Sequence, residues 1–217
     1  MKKYYLIAAI TAMMIIAGCG ITGNFVKDTC EALSGYEKEE CYIDNAIESQ
    51  KTSWCNNLED EKTRDNCYFK VAKVEGNSKI CEEIQGDHWK DTCFQHIAED
   101  TSNEKLCENI VPIDPVSEKD KINKDTCFLT IGKSKGDFEI CKKISLKTMK
   151  NGCIKSIALS SLDETVCAEI EDSLTKDTCY KSIAQEKKDI SICDEIGFNM
   201  IKEICKQRVT ERLSELE

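Results

Sequence analysis

The sequence predicts an all-α fold, an α-solenoid of about seven disulfide-stapled helix hairpins that follows an N-terminal signal segment. Three observations predict it. Fourteen of the 15 cysteines recur with a fixed period, short capping residues and apolar residues at helical spacing recur with them, and an apolar leader directs the chain out of the cytosol.

After Cys19 the cysteines fall as Cys30/Cys41, Cys55/Cys67, Cys81/Cys93, Cys107/Cys127, Cys141/Cys153, Cys167/Cys179 and Cys193/Cys205. The step from one pair to the next is always 14, and the step inside a pair is 11, 12, 12, 20, 12, 12 and 12. The unit is therefore about 26 residues, repeated seven times.

The first element of each unit surrounds the first cysteine. Asn77, Asn103, Asp137, Asp163 and Asp189 each stand four residues before it, where a short acceptor side chain satisfies free N–H groups at a helix start. An apolar residue three positions after the cysteine, such as Ile84 or Ile196, lies on the same face at helical spacing. The prediction is a short helix A.

The second element carries the pattern Lys-Asp-x-Cys-aromatic-x-x-Ile-Ala, as in Lys90-Asp91-Thr92-Cys93-Phe94 through Ile97-Ala98, and Lys176-Asp177-Thr178-Cys179-Tyr180 through Ile183-Ala184. The cysteine and the first, fourth and fifth residues after it form one buried helical stripe, which defines helix B. Asp87, Ser173 and Asn199, six residues before the B cysteine, are its expected N-caps. The recurrent Lys-Asp reads as surface charge flanking a helix turn.

Two such helices bury too little area to stand alone, so each hairpin must cover its neighbour. Pairing A with B inside each repeat uses all fourteen cysteines, whereas pairing B with the next A would strand Cys30 and Cys205. In an antiparallel hairpin the first pairing also places the two cysteines at comparable depth. Seven intra-repeat bridges follow, each closing a loop of roughly 12 residues and contributing on the order of 3 kcal/mol.

Residues 1–18 are the expected signal segment. Lys2 and Lys3 precede a nearly all-apolar run from Tyr4 to Ala17, and about 15 helical residues reach only roughly 22 Å, short of a hydrocarbon core near 30 Å. Ile16-Ala17-Gly18-Cys19 resembles the lipobox of prokaryotic lipoproteins. That resemblance implies cleavage before Cys19 and lipidation of Cys19, with residues 19–25 as lipidated cysteine and tether. Residues 26–217 form the repeat domain.

Eight extra residues separate Cys107 from Cys127 and contain both prolines, Pro112 and Pro115, which reads as a lengthened A–B turn over Val111–Asp120. Beyond it lies a lysine-rich stretch in an otherwise acidic chain. With Lys2 and Lys3 removed, 28 basic face 40 acidic side chains, a net charge of −12. Lys142, Lys143, Lys147 and Lys150 are thus candidate contacts for an anionic partner, or simply a solvated face. The final segment, Arg208 to Glu217, alternates charge with Val209, Leu213 and Leu216 and is expected to cap the stack as a polar helix.

Catalytic and metal signatures are missing from the motif inventory. His88 and His96 are the two histidines, and neither sits at ligand spacing from a second histidine. No Cys-x-x-Cys and no glycine-rich phosphate loop occurs. No enzyme activity, cofactor, metal or small-molecule substrate is expected, and the acidic balance argues against nucleic acid. The aromatics Tyr42, Tyr68, Phe94, Phe128 and Tyr180 beside the B cysteines either line a groove or pack against the bridges.

Taken over residues 26 to 212, the pattern resembles cysteine-rich helical-repeat lipoproteins of prokaryotes. It is similar in plan to secreted tetratricopeptide-like (Sel-type) repeats with disulfide-linked helices, although its unit is shorter. The resemblance implies a lipid-anchored protein on the outer face of a cell membrane. The leading expectation is a non-enzymatic scaffold binding a protein or peptide. A structural cell-envelope spacer is the alternative, and a thiol-redox or metal-binding protein is a weaker one.

Overall fold

The structure, a computed structural model, describes residues 29–111 and 118–214, with side chains left out of account at 118–121. The signal segment, Cys19, the tether, Pro112, Pro115 and Leu216 lie outside the described residues.

The fold is all-α, and the described residues contain no strand. The chain divides into two compact units, one ending at Gly86 and one beginning at Asp87. The first unit contains α1 (Gly35–Ser49), a 3₁₀ helix Thr52–Asn57, α2 (Glu61–Glu75) and a 3₁₀ helix Ser78–Glu83. In the second unit α3 (Asp87–Asp100) leads to the 3₁₀ helix Glu104–Asn109, then α4 (Glu118–Lys135), α5 (Phe138–Lys142) and α6 (Lys147–Ser161). The 3₁₀ helix Glu164–Glu169, α7 (Ser173–Lys187), the 3₁₀ helix Ile190–Glu195 and α8 (Asn199–Ser214) complete it.

The expected helix A is present in every described repeat: it is α-helical at residues 29–31 of the first repeat and in α5, and a six-residue 3₁₀ turn in the other five. Pieces this short commonly tighten to i→i+3 bonding, although length does not set α5 apart, since it has five residues against six. At the start, Asn77, Asn103, Asp137, Asp163 and Asp189 accept the N–H two residues on, as expected for caps. At the end, the N–H of Ile84, Ile110, Ile170 and Ile196 returns to the carbonyl of the cysteine three residues back.

The caps of helix B differ from expectation by one residue. Asp87, Ser173 and Asn199 are the first helical residues of α3, α7 and α8. In α2 and α7 the capping side chain stands just before the helix, as Asp172 accepts from Thr175 N at 2.8 Å and Asp60 does the same for Thr63, whereas Gly86 and Phe198 precede α3 and α8. A capping oxygen must reach an N–H three residues ahead, and counting back from the cysteine does not locate that start to a single residue.

Nine residues after the B cysteine, helix B of each of the first six repeats ends at a left-handed residue: Gln50, Gly76, Ser102, Gly136, Leu162 or Lys188. The next N–H then bonds back to the small residue five after the cysteine, as Asn77 to Ala72 at 3.0 Å and Asp189 to Ala184 at 3.0 Å. That position must be small. At Gly132 an added Cβ would stand 3.3 Å from Cys141 Sγ, so the following A cysteine rests directly on it.

The expected stripe is the core. Ile97, Ile131, Ile157 and Ile183, four after the B cysteines, are at most 3% exposed, and Leu58, Ile84, Ile110, Ile144, Ile170 and Ile196 are buried beside them. Within the first unit α1 packs on Thr52–Asn57 and α2; within the second α7 packs on Ile190–Glu195, α6 and α8. In α8 the motif changes to Glu203, Lys206 and Thr210 where α7 has Asp177, Tyr180 and Ala184. The last repeat is therefore polar where earlier ones receive a neighbour, as expected for a cap, with Val209 buried and Leu213 exposed.

Candidate functional site

All fourteen repeat cysteines are disulfide-bonded. Six bridges pair A with B inside a repeat: Cys30–Cys41, Cys55–Cys67, Cys107–Cys127, Cys141–Cys153, Cys167–Cys179 and Cys193–Cys205, with Cα–Cα distances of 5.6 to 5.8 Å. Cys81 and Cys93 are both disulfide-bonded as well. Every one of these sulfurs is thus committed to structure, and most of the cysteines are fully buried. Among the described residues no three His, Cys, Asp or Glu side chains gather as a metal-binding group.

The Lys-Asp pair is not surface charge, and here the sequence expectation is corrected. Asp65, Asp125 and Asp177 are at most 3% exposed. Each accepts two consecutive backbone N–H groups from the A–B turn of the next repeat. Asp65 takes Gln85 and Gly86 at 3.1 and 2.8 Å, Asp125 takes Ser145 and Leu146 at 2.9 Å each, and Asp177 takes Gly197 and Phe198 at 2.9 and 2.8 Å. Ser145 Oγ adds a bond to Asp125. Among the described residues Asp91 accepts Val111 N at 3.2 Å, and burial pushes its carboxyl above the ordinary value.

The basic partner points the other way, into its own repeat. Lys124 and Lys202 donate to the carbonyls of Glu108 and Asp194, and Arg64 donates to Leu58 O, all at the end of helix A. Arg64-Asp65 and Lys124-Asp125 therefore each close their own hairpin and clasp the next. The position holds Asp in four of the five inner repeats and Asn151 in the other, against Glu39 in the first repeat and Glu203 in the last. A merely solvated charge would mix Asp and Glu throughout, and that restriction was the legible signal.

The aromatics pack. Tyr42, Phe94, Phe128, Tyr68 and Tyr180 are all buried beside the bridges. The hydroxyls of Tyr42 and Tyr68 bond Glu31 and Asn56 at 2.7 and 2.6 Å, each acceptor directly following an A cysteine. Burial, with help from Glu31, pushes the Tyr42 hydroxyl up to about 12.

Of the four candidate lysines, three are engaged. Lys142 pairs with Glu139 at 2.8 Å and with Glu169 of the next repeat at 2.7 Å, Lys143 lies 5.6 Å over the Phe128 ring, and Lys150 pairs with Glu171 of the next repeat at 3.1 Å. Lys147 instead lines an open cleft of about 440 Å³ between α6 and α7, with Thr148, Asn151, Glu171, Asp172 and Thr175. The clasp position in that repeat is not aspartate but Asn151, 6% exposed, whose Oδ1 accepts Glu171 N at 3.1 Å. Lys147 and the one amide clasp thus meet at one cleft.

No protein-family model, curated protein or solved structure matches this chain. Its functional reading therefore rests on the chemistry of these residues. The bound cysteines fit an oxidising, extracytoplasmic compartment, and no helix among the described residues is long and apolar enough to cross a membrane.

Proposed function

We propose that this protein is a non-catalytic, extracytoplasmic repeat scaffold, tethered to the outer face of a membrane through a lipid on Cys19, that binds a protein or peptide partner. One observation carries the reading. The sulfurs and the Lys-Asp charges that recur from repeat to repeat are taken up in holding hairpins together, so the repeated chemistry builds a support and leaves the variable surface to recognition. The lipobox-like Ile16-Ala17-Gly18-Cys19 supports the anchor, and the resemblance to disulfide-linked helical-repeat lipoproteins supports the class.

Two measurements test it. Metabolic labelling with an alkyne fatty acid should mark the wild-type chain and not Cys19→Ala, and surface proteolysis should find the labelled chain outside. Crosslinking in intact cells at increasing expression should recover a partner that saturates. An unlabelled chain defeats the anchor, and recovery that never saturates favours a cell-envelope spacer instead.

A further inference from the structure

We propose that the cleft between α6 and α7 binds a carboxylate of a peptide, held by the Asn151 side-chain amide, the Asp172 backbone N–H and the Lys147 ammonium. The inference rests on the scaffold reading for the class of partner.

The argument begins with what an amide cannot do. Where the clasp is aspartate, its two oxygens take two consecutive N–H groups, as Asp177 takes Gly197 and Phe198. Asn151 has one oxygen, and it takes the first of the pair, Glu171 N. In place of the second oxygen stands Nδ2, a donor, opposite the position where the second backbone donor, Asp172 N–H, enters. Neither donor has a hydrogen-bond partner among the described residues. Asn151 is nine-tenths buried as a residue, and no fully buried side-chain donor among the described residues lacks a partner, so its Nδ2 opens to the cleft, where an acceptor from outside the chain can reach it.

The remaining side chains of the cleft select the charge of that acceptor. Asp172 Oδ2 is held by Thr175 N and Oγ1 at 2.8 and 2.6 Å, and Glu171 is paired with Lys150. Lys150 thus offsets the charge of Glu171, and Thr175 occupies one of the two oxygens of Asp172. Lys147 lines the cleft and has no ion pair among the described residues. An anion with two oxygens in a plane satisfies these groups better than a neutral carbonyl, because the donors gain a charge-assisted bond. A carboxylate supplies from outside the second oxygen that Asp125 and Asp177 carry themselves.

The test uses the mature, oxidised full chain labelled with ¹⁵N. Three peptides are titrated in: acetyl-triglycine with a free carboxylate, the same peptide as its C-terminal amide, and acetyl-Gly-Asp-Gly-amide. The Asp172 backbone and Asn151 side-chain resonances should shift saturably with the two acids and not with the amide; the tighter acid tells a chain terminus from an acidic side chain. Asn151→Asp fills the missing oxygen and should weaken binding by at least about 10-fold, with a melting temperature no lower than wild type. Lys147→Gln should weaken it roughly 3- to 10-fold and flatten its salt dependence. Absence of saturable shifts, or equal binding by Asn151→Asp, overturns the site. Saturable partner capture in cells is a separate reading, so a flat titration does not sink the scaffold.

Discussion

The carboxylate of Asp177 on α7 accepts the N–H of Phe198, at the entry to α8, at 2.8 Å, and the neighbouring N–H of Gly197 at 2.9 Å. That pair of bonds joins two repeats across 21 and 20 residues of sequence. It does so at the turn where the backbone leaves helix A and has no helical partner of its own. Disulfides hold each hairpin to itself, while clasps such as this one hold hairpins to one another.

Removing the clasp should uncouple neighbours without touching a bridge. Asp177→Ala leaves two N–H groups without their acceptor and opens a gap at a site 3% exposed; it should cost about 3–5 kcal/mol. Asp177→Asn keeps one bond and should cost about 1–2 kcal/mol. Urea unfolding of the oxidised chain reads both, and an Ala variant within about 0.5 kcal/mol of wild type would return the aspartate to the role of surface charge.

The natural Asn151 makes the opposite substitution informative. Asn151→Asp adds an acceptor for Asp172 N–H, and the nearby acids Glu171 and Asp172 are already bonded to Lys150 and Thr175. A gain of about 1 kcal/mol is expected, raising the melting temperature by roughly 2–4 °C for a chain of this size. Calorimetry at neutral pH checks it, and a lower melting temperature would show that carboxylate repulsion outweighs the new bond.

Much of this architecture is legible because the cysteines mark the period and the caps mark the starts. Asp163 before Cys167 and Ile170 after it identify helix A from spacing alone, and both occupy the expected places. The clasp was not legible as such, since Asp125 stands next to Lys124 on what looks like a polar helix face. Its two acceptors are met by a turn 20 residues away, and helical periodicity carries no information about a contact between repeats. The cleft was half legible: Lys147 and Lys150 are visible as basic residues, whereas the meaning of Asn151 depends on knowing what aspartate does in the other copies.

Bridge removal gives a third expectation. Cys167→Ala combined with Cys179→Ala opens a loop with sequence separation 12 and should cost about 3 kcal/mol through the unfolded chain. Loss of two buried sulfurs adds to this. Non-reducing peptide mapping of wild type should yield the Cys167–Cys179 linkage and its five counterparts. Any peptide joining Cys179 to Cys193 would contradict the hairpin assignment.

Acid should weaken the fold through the caps. Hydrogen bonds from the hydroxyl and backbone N–H of Thr165, Thr175 and Ser191 hold Asp163, Asp172 and Asp189 below the usual carboxylate range, and Thr63 does the same for Asp60. With the folded value depressed, the native state binds fewer protons than the unfolded chain, whose aspartates titrate near about 3.9. Their stabilisation is complete above that pH and is lost as pH falls through the folded values. Asp91 runs the other way, because burial raises its carboxyl, so its contribution declines as pH climbs past the same region. Seven depressed carboxyls, these four caps with Glu104, Glu164 and Asp194, against the one raised carboxyl of Asp91 predict a net fall in the urea midpoint as pH drops below about 4. Replacing Asp163, Asp172 and Asp189 together by Asn, itself a good cap, should preserve the midpoint at neutral pH and flatten the acid slope. An unchanged slope would move the acid sensitivity away from these caps.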